Sequence, residues 1–237
     1  MTSLTDSVKV VLLDIEGTTT PIDFVYKTLF PFARAQMESF VDQHFESTAV
    51  RKAIEILEAD HATEKETGLP EWSPTAAGAS QFALWLMDRD RKATGLKALQ
   101  GLIWKEGYNT GELKATLYDD VAPAIQRWTT ADKQVCIYSS GSVLAQKLLF
   151  GHTIHGDLTN QLSGYFDTTT GSKREASSYR VIADQLNVST HQILFLSDMV
   201  PELDAAFEAG LEVGLIARDD LPENPNGFPV LKDFQGL

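Results

Sequence analysis

The sequence has few of the features that mark several large classes of protein. Cys136 is its one cysteine, so no intrachain disulfide can form, and its position in an apolar run predicts a buried thiol. The apolar runs are short, the first spanning only Val8 to Leu13, which predicts neither a signal sequence nor a membrane span. We therefore expect a globular protein of the cytoplasm.

Basic residues are also scarce. The chain has 20 Lys and Arg against 33 Asp and Glu, a formal net charge of −13. Extended nucleic-acid or anionic-membrane surfaces need clustered Lys and Arg, so neither kind of partner is expected. A function that involves phosphate would then depend on a few local cations or on a metal ion.

What the sequence does have is a repeated pattern of short apolar runs, each followed by polar residues and a helix-like stretch. Such runs are typical of strands in a parallel sheet that is covered on both faces. The pattern predicts an α/β protein with a doubly wound parallel sheet, in which ligands bind beyond the carboxyl ends of the strands. The predicted strands cover residues 8–13, 135–138, 193–196 and 213–217, and the predicted helices 121–128, 143–150, 175–186 and 202–209.

One long interval, residues 22–118, lacks this pattern. It has helix-like periodicity around Phe82–Met87 and Leu96–Ile103, with a polar stretch at residues 61–80 that predicts a loop. We interpret it as a helical insertion into a core made of residues 1–21 and 119–237. A helical flank with no role at the site is the alternative, and the tail beyond Arg218 is expected to be irregular.

The first candidate site residues are Asp14 and Glu16, which follow the first predicted strand directly. Gly17 then permits a sharp turn whose backbone amides could hold a phosphate. An ordinary acidic turn at a strand end is the alternative. An EF-hand would need Gly at loop position six, and a P-loop would need a following Gly-Lys-Ser/Thr, so both are excluded.

Hydroxyl and cationic candidates follow later strands. Ser139 and Ser140 end the second strand and could donate to a phosphate, whereas Ser142 fits a helix N-cap better. Lys173 precedes a predicted helix and could be either a surface lysine or the cation that meets phosphate and keeps Asp14 ionised.

Asp198 ends the third apolar run and could complete a magnesium site with Asp14, or simply cap the next helix. Each of these signals is weak alone. Together they place a nucleophile, hydroxyls, a cation and a metal ligand at the ends of separate parallel strands. That combination indicates a magnesium-dependent phosphatase with Asp14 as nucleophile.

Longer strings narrow this interpretation. Together with the order of the four motifs they resemble the enolase-phosphatase family of methionine salvage, within the haloacid dehalogenase-like hydrolase superfamily. The resemblance extends from about residue 9 to about residue 217. The strings are Asp14–Ile22, Leu86–Thr94, Leu99–Trp104, Ile137–Ser142, Gln146–Gly151 and Gly164–Asp167.

The resemblance implies a role for each candidate. Asp14 would form an aspartyl-phosphate, Glu16 would assist proton transfer, and Lys173 would contact both Asp14 and the phosphate. The substrate's phosphate would also be bound by Ser139 and Ser140. One Mg²⁺ per subunit would be held by Asp14, Glu16 and Asp198, and the helical insertion would act as a cap.

The family's substrate is 2,3-diketo-5-methylthiopentyl-1-phosphate, which is enolised and dephosphorylated to the acireductone 1,2-dihydroxy-3-keto-5-methylthiopentene. A general phosphate-monoester phosphatase is the alternative, and a non-catalytic metal-binding module is a more distant one. The resemblance also suggests a monomer, with the nucleus as an additional location in a eukaryote. In the insertion, Arg91, Lys92 and Lys97 could contact substrate oxygens and Trp104 its methylthio end. A solvated basic face and a core aromatic are equally good interpretations of these four.

Two positions depart from the superfamily pattern. Glu16 stands where most members have Asp, and its extra methylene extends the reach of the carboxylate. Glu202 stands where many members have a second Asp, which predicts an indirect partner of the metal rather than a ligand.

Overall fold

A computed structural model describes residues 7–218 and 224–237. Within these residues six strands occur, most of them separated by helices, and the apolar pattern predicted four of the six. The strands are β1 (Val10–Leu13), β2 (Gln134–Tyr138), β3 (Gly164–Phe166), β4 (Ile193–Ser197), β5 (Glu212–Ile216) and β6 (Val230–Leu231). The helices are α1 (Ile22–Phe24), α2 (Phe30–His44), α3 (Thr48–Thr63), α4 (Ala76–Met87), α5 (Thr94–Thr110), α6 (Val121–Thr130), α7 (Val143–Gly151), α8 (Ala176–Leu186) and α9 (Val200–Glu208). A π-helical turn covers Val25–Leu29, and 3₁₀ turns cover Thr159–Gln161 and Thr190–Gln192.

All six strands pair in parallel, in the order β3-β2-β1-β4-β5-β6. In β1, Leu13 lies opposite Ile137 of β2 and Leu196 of β4, so the residues that follow these strands emerge at one edge. The chain adds β2 and β3 on one side of β1 and then returns to add β4 on the other. In doubly wound sheets this reversal of strand order marks the ligand site.

The physical cause of this arrangement is burial on both faces of the sheet. All four residues of β1 are buried, which the unbroken apolar run allows and an alternating strand would not. The helix α6 covers the sheet with Val121, Ala124, Ile125 and Trp128, an i, i+3, i+4, i+7 stripe. Cys136 is fully buried as predicted, and burial raises the pKa of its thiol to about 12.

The chain divides into two compact units. One comprises residues 1–25 and 114–237, and the other comprises residues 26–113. The second unit has its own apolar core, which includes Met37, Leu57, Phe82 and Leu99. Its predicted bounds were 22 and 118, and its action as a cap stays a prediction.

Three sequence expectations need correction. The polar stretch predicted at 61–80 is shorter, because α3 continues to Thr63 and α4 begins at Ala76. The strand β3 was not predicted, since it has only three residues and begins with Gly164. The tail beyond Arg218 is not wholly irregular, because Val230 and Leu231 pair with β5. No helix among the described residues has both the length and the apolar character needed to cross a membrane.

Candidate active site

Asp14 lies at the centre of the site, directly after the central strand. Its amide donates to the carbonyl of Leu196 at 3.0 Å, which continues the pairing of β1 with β4 by one residue. The side chain is 7% exposed, and its Oδ1 accepts from the amide of Ile15 at 2.7 Å. A buried carboxylate with a backbone donor has a fixed orientation, as a nucleophile requires.

The turn after β1 depends on Gly17. Its φ is +71°, and a Cβ atom there would lie 2.2 Å from Oδ2 of Asp198. The absence of a side chain therefore lets the carboxylate of Asp198 approach the turn closely. The neighbouring Thr18 completes the connection, because its hydroxyl accepts from the amide of Asp198 at 3.0 Å.

Lys173 is the cation of the site. Its Nζ lies 2.6 Å from Oδ1 of Asp14 and 2.5 Å from Oε2 of Glu202. Burial alone would lower the pKa of Lys173, but the carboxylates of Asp14 and Glu202 outweigh it and raise that pKa above its usual value. The ammonium group is therefore charged wherever the two carboxylates are.

The loop that carries Lys173 is held by three successive hydrogen bonds to its backbone. The carbonyls of three consecutive residues each accept from a hydroxyl on β2 or α8, which fixes the direction in which the lysine leaves the backbone. Sequence reasoning missed these donors, because strand and helix patterns do not show which hydroxyls face a loop. The pairs are Tyr138 with Gly171, Ser178 with Ser172, and Tyr179 with Lys173, at 3.1, 2.7 and 2.7 Å.

Ser197, the last residue of β4, connects the acids to each other. Its side chain is fully buried, and its Oγ lies 2.9 Å from Oδ2 of Asp14 and 3.1 Å from Oε2 of Glu202. The amide of Met199 donates to Oγ of Ser197 at 3.1 Å. The Ser197 hydroxyl, which has one proton to donate, thus lies within hydrogen-bond distance of both carboxylates and gives the second oxygen of Asp14 a buried partner.

The charges of this cluster do not balance. Among the described residues, Asp14 and Glu202 share the ammonium group of Lys173, and Oδ1 of the nearby Asp198 is buried without a hydrogen-bond partner. Burial, and after it the charge of Asp14, raises the pKa of Asp198 to about 7 and also raises the pKa of Glu202. The excess of negative charge and the unpartnered oxygen of Asp198 therefore both favour binding of a cation at this site.

The donor set fits Mg²⁺ bound in the way that is usual for this ion. Among the described residues no group of three or more His, Cys, Asp or Glu side chains is arranged to hold a metal by itself. Mg²⁺ commonly takes one or two carboxylates and completes its octahedron with waters and substrate phosphate oxygens. Asp14 and Asp198 are two buried or half-buried carboxylates that could take this role.

The metal-free protein should lose stability as the pH rises from about 5 to about 7.5. A folded-state pKa near 7 for Asp198 lies above the unfolded value of about 3.9, so the folded state binds more protons between these values. Unfolding in urea with EDTA at several pH values measures this fall. Asp198→Asn should reduce it, with Glu202 accounting for the remainder. A flat profile in the wild-type protein would contradict the raised pKa.

The predicted phosphate-binding serines lie at the end of β2, beside the end of β1. Ser139 is buried and its Oγ accepts from the amide of Gly141 at 3.1 Å, which leaves the hydroxyl proton to be donated elsewhere. Ser140 is half-buried in the following bend. Ser142 is the N-cap of α7, as predicted, and accepts from the amide of Ala145.

The other predictions have mixed outcomes. Glu16 is half-buried and forms an isolated parallel bridge with Thr20 within the turn. Asp198 does not cap α9, because the residue at that cap is Met199. Glu202 was predicted as an indirect partner of the metal, and the structure shows it as the second carboxylate of Lys173.

In the second unit, Arg91 pairs with Glu64 at 2.7 Å, so its guanidinium is engaged within that unit. Trp104 packs against Phe30 and donates its indole N–H to the carbonyl of Leu29 at 2.9 Å. These contacts favour the core interpretation of Trp104 and an intramolecular role for Arg91. For Lys92 and Lys97, contact with substrate oxygens and a solvated basic face both stay predictions.

Comparison with known proteins agrees with this geometry. Residues 8–210 match the family described as haloacid dehalogenase-like hydrolase. The chain is 50% identical to enolase-phosphatase E1 of Synechococcus elongatus, over 90% of each chain. It is 43% identical to enolase-phosphatase E1 of Drosophila mojavensis, over 99% of this chain and 97% of that one. The crystal structure of the UTR4 protein of Saccharomyces cerevisiae superposes with a TM-score of 0.81 at 36% identity, covering 97% of this chain and all of that one. The chain belongs to the haloacid dehalogenase-like hydrolases and, within them, to the enolase-phosphatase E1 family.

Proposed function

We propose that this chain is the enolase-phosphatase that converts 2,3-diketo-5-methylthiopentyl-1-phosphate to 1,2-dihydroxy-3-keto-5-methylthiopentene and phosphate, in the salvage of L-methionine from methylthioadenosine. The observation that carries the proposal is the buried contact of Asp14 with Lys173 in a chain 50% identical to an enolase-phosphatase over 90% of its length. The proposal includes a cytoplasmic monomer that acts on a small molecule, without nucleic acid or membrane. The net charge of −13 supports the last point.

In the phosphatase half, a carboxylate oxygen of Asp14 attacks phosphorus while the bond from phosphorus to the leaving oxygen breaks. The product is an aspartyl-phosphate, and the leaving oxygen takes up a proton. Water then attacks the phosphorus of this intermediate, releases phosphate and restores the carboxylate. Lys173 would face the phosphoryl oxygens, and its contact with the attacking carboxylate supports this role. Ser139 and Ser140 would donate to the same oxygens.

Proton transfer is assigned to Glu16. It lies in the turn two residues after the nucleophile, and its longer side chain reaches further than the Asp that most of the superfamily has there. The enolase half needs a base beside a carbon made acidic by a neighbouring carbonyl. We propose Glu16 for this step as well.

Asp14, Glu16 and Asp198 would hold one Mg²⁺ per subunit. When bound, the ion supplies positive charge that stabilises the charge developing on substrate oxygens. Contacts of two of these residues support the proposal: the amide of Ile15 and the hydroxyl of Ser197 orient Asp14, and Thr18 holds the backbone of Asp198.

The test is turnover of the diketone phosphate by the purified protein, with Mg²⁺ and after its removal with EDTA. Absorbance of the enol product and release of phosphate are recorded together. We expect both signals with Mg²⁺ and neither without it. A simple phosphate ester is assayed in parallel.

The parallel assay separates the proposal from its alternative. Much higher activity on the simple ester than on the diketone phosphate would replace the proposal with a general phosphomonoesterase. Binding of Mg²⁺ without release of phosphate from either compound would rule out both enzymes.

A further inference from the structure

Arg218 makes contacts that the chemistry described above does not use. It follows β5, and its guanidinium donates from Nε and Nη2 to the carbonyl of Thr18 at 3.0 and 2.6 Å. Its Nη1 lies 2.7 Å from Oδ1 of Asp120, at the start of α6. Both side chains are 7% exposed, so this is a buried ion pair.

The guanidinium is also enclosed by two aromatic rings. Its central carbon lies 4.3 Å from the ring centre of Tyr118 and 4.7 Å from that of Phe234. Oδ2 of Asp120 accepts from the amide of Phe234 at 2.7 Å. Arg218 and Asp120 thus connect the loop after β1 to the C-terminal segment, residues 224–237. A delocalised planar cation suits such stacking better than an ammonium group does.

Thr18 is the residue through which this cluster reaches the site. Its carbonyl accepts from Arg218, and its hydroxyl accepts from the amide of Asp198 at 3.0 Å. Thr18 also follows Gly17, whose turn lies against the carboxylate of Asp198. A displacement of Thr18 would therefore move Asp198 and the turn beside Asp14 together.

We propose that Arg218 is a positioning residue for phosphoryl transfer, which holds the turn after Asp14 through the carbonyl of Thr18. The inference rests on the proposed function only in taking phosphate release as its readout. The competing explanation is that Arg218 merely ties down the C-terminal segment.

The chain offers a matched control for that explanation. Arg127 donates from Nη2 to the carbonyl of Phe234 at 2.6 Å and from Nε to that of Leu237 at 3.1 Å. Its guanidinium holds the same C-terminal segment, whereas the carbonyl of Thr18 accepts from Arg218. Loss of Arg127 should therefore loosen the tail and leave the turn after Asp14 in place.

The experiment compares Arg218→Ala, Arg218→Lys and Arg127→Ala by steady-state kinetics and thermal unfolding. We expect Arg218→Ala to lower kcat by about 10- to 100-fold with KM changed by less than about threefold, because misplacement of reacting groups by about 1 Å can have effects of this size. The kcat of Arg218→Lys should lie between those of Arg218→Ala and the wild type, since one ammonium cannot make the paired contact with the carbonyl. Arg127→Ala should lower the unfolding temperature and keep the kcat of the wild type.

Chemical rescue adds a readout that a purely structural role would not move. Millimolar guanidinium, far below denaturing concentrations, should restore part of kcat to Arg218→Ala and none to the other variants. Wild-type kcat in Arg218→Ala, or an equal loss of kcat in Arg127→Ala, would overturn the proposal. If Arg218→Ala does not fold, wild-type kcat in Arg218→Lys overturns it and a lowered kcat supports it.

All variants are assayed on whichever phosphate ester the wild-type protein hydrolyses. A wild type that hydrolyses only a simple ester would refute the proposed substrate. The comparison of Arg218 with Arg127 would still decide the positioning role.

Discussion

Replacement of Asp14 by asparagine is expected to reduce phosphate release by at least about 10³-fold, because an amide is too weak a nucleophile to displace the leaving group at phosphorus. The side chain keeps its size. Lys173 keeps Glu202 as a partner at 2.5 Å, so the variant should fold. Rapid acid quench with a radiolabelled phosphoryl group should trap protein-bound label in the wild type and none in Asp14→Asn.

Asp157→Asn is the matched control for this variant. Asp157 is an exposed residue that accepts from the amide and hydroxyl of Thr159 at 2.8 and 2.6 Å, so the same chemical change is made away from the site. It should keep the activity of the wild type. Substantial turnover by a freshly prepared Asp14→Asn protein, with no deamidation detectable by mass spectrometry, would refute Asp14 as the nucleophile.

Replacement of Lys173 by methionine is expected to affect both activity and stability. Phosphate release should fall by about 10²- to 10³-fold, since a charged donor aimed at the phosphoryl group is lost. The metal-free protein should lose about 3–5 kcal/mol of unfolding free energy, because Asp14 and Glu202 remain buried without their cation. The loss should be smaller at pH 5, where Glu202, with its raised pKa, takes up a proton.

Urea unfolding with EDTA at pH 5 and pH 7.5 measures the stability effect, and added Mg²⁺ should offset part of it. Lys147→Met serves as control, because Lys147 is exposed and its Nζ lies 5.4 Å from the ring centre of Tyr165. That change should alter stability by less than about 0.5 kcal/mol. A Lys173→Met protein with more than a tenth of the wild-type kcat would show that the ammonium group is not part of the reaction.

The sequence predicted the strands that are formed by apolar runs and the polar residues that directly follow those strands. Uninterrupted burial requires uninterrupted apolar residues, so β1 and β4 were visible, and the acids that follow them were placed at one edge by topology alone. Lys173 was different. It follows a strand too short to detect, so its own position fitted a surface lysine equally well. Its combination with the other candidates, and then the family resemblance, placed it among the site residues.

What could not be predicted are contacts between loops distant in sequence. Ser197 looked like a strand residue, and the structure places its hydroxyl between two carboxylates. Arg218 was not among the candidate site residues, and its contact with Thr18 depends on how β5 leads back towards the turn after β1. Periodicity reports which face of an element is buried. It does not report which polar atoms meet there.

The central place of β1 in the sheet has a consequence for the folding of the protein during synthesis. Val10 pairs with Gln134 and with Ile193, so β1 leaves the ribosome long before either neighbouring strand has been made. The unit formed by residues 26–113 is complete in sequence before β2 begins. Pairing over such separations is slow to form, and an apolar strand without partners is prone to aggregate. Asp14 meets Ser197 only when β4 has paired with β1, so the surroundings of this carboxylate are completed late in the synthesis of the chain.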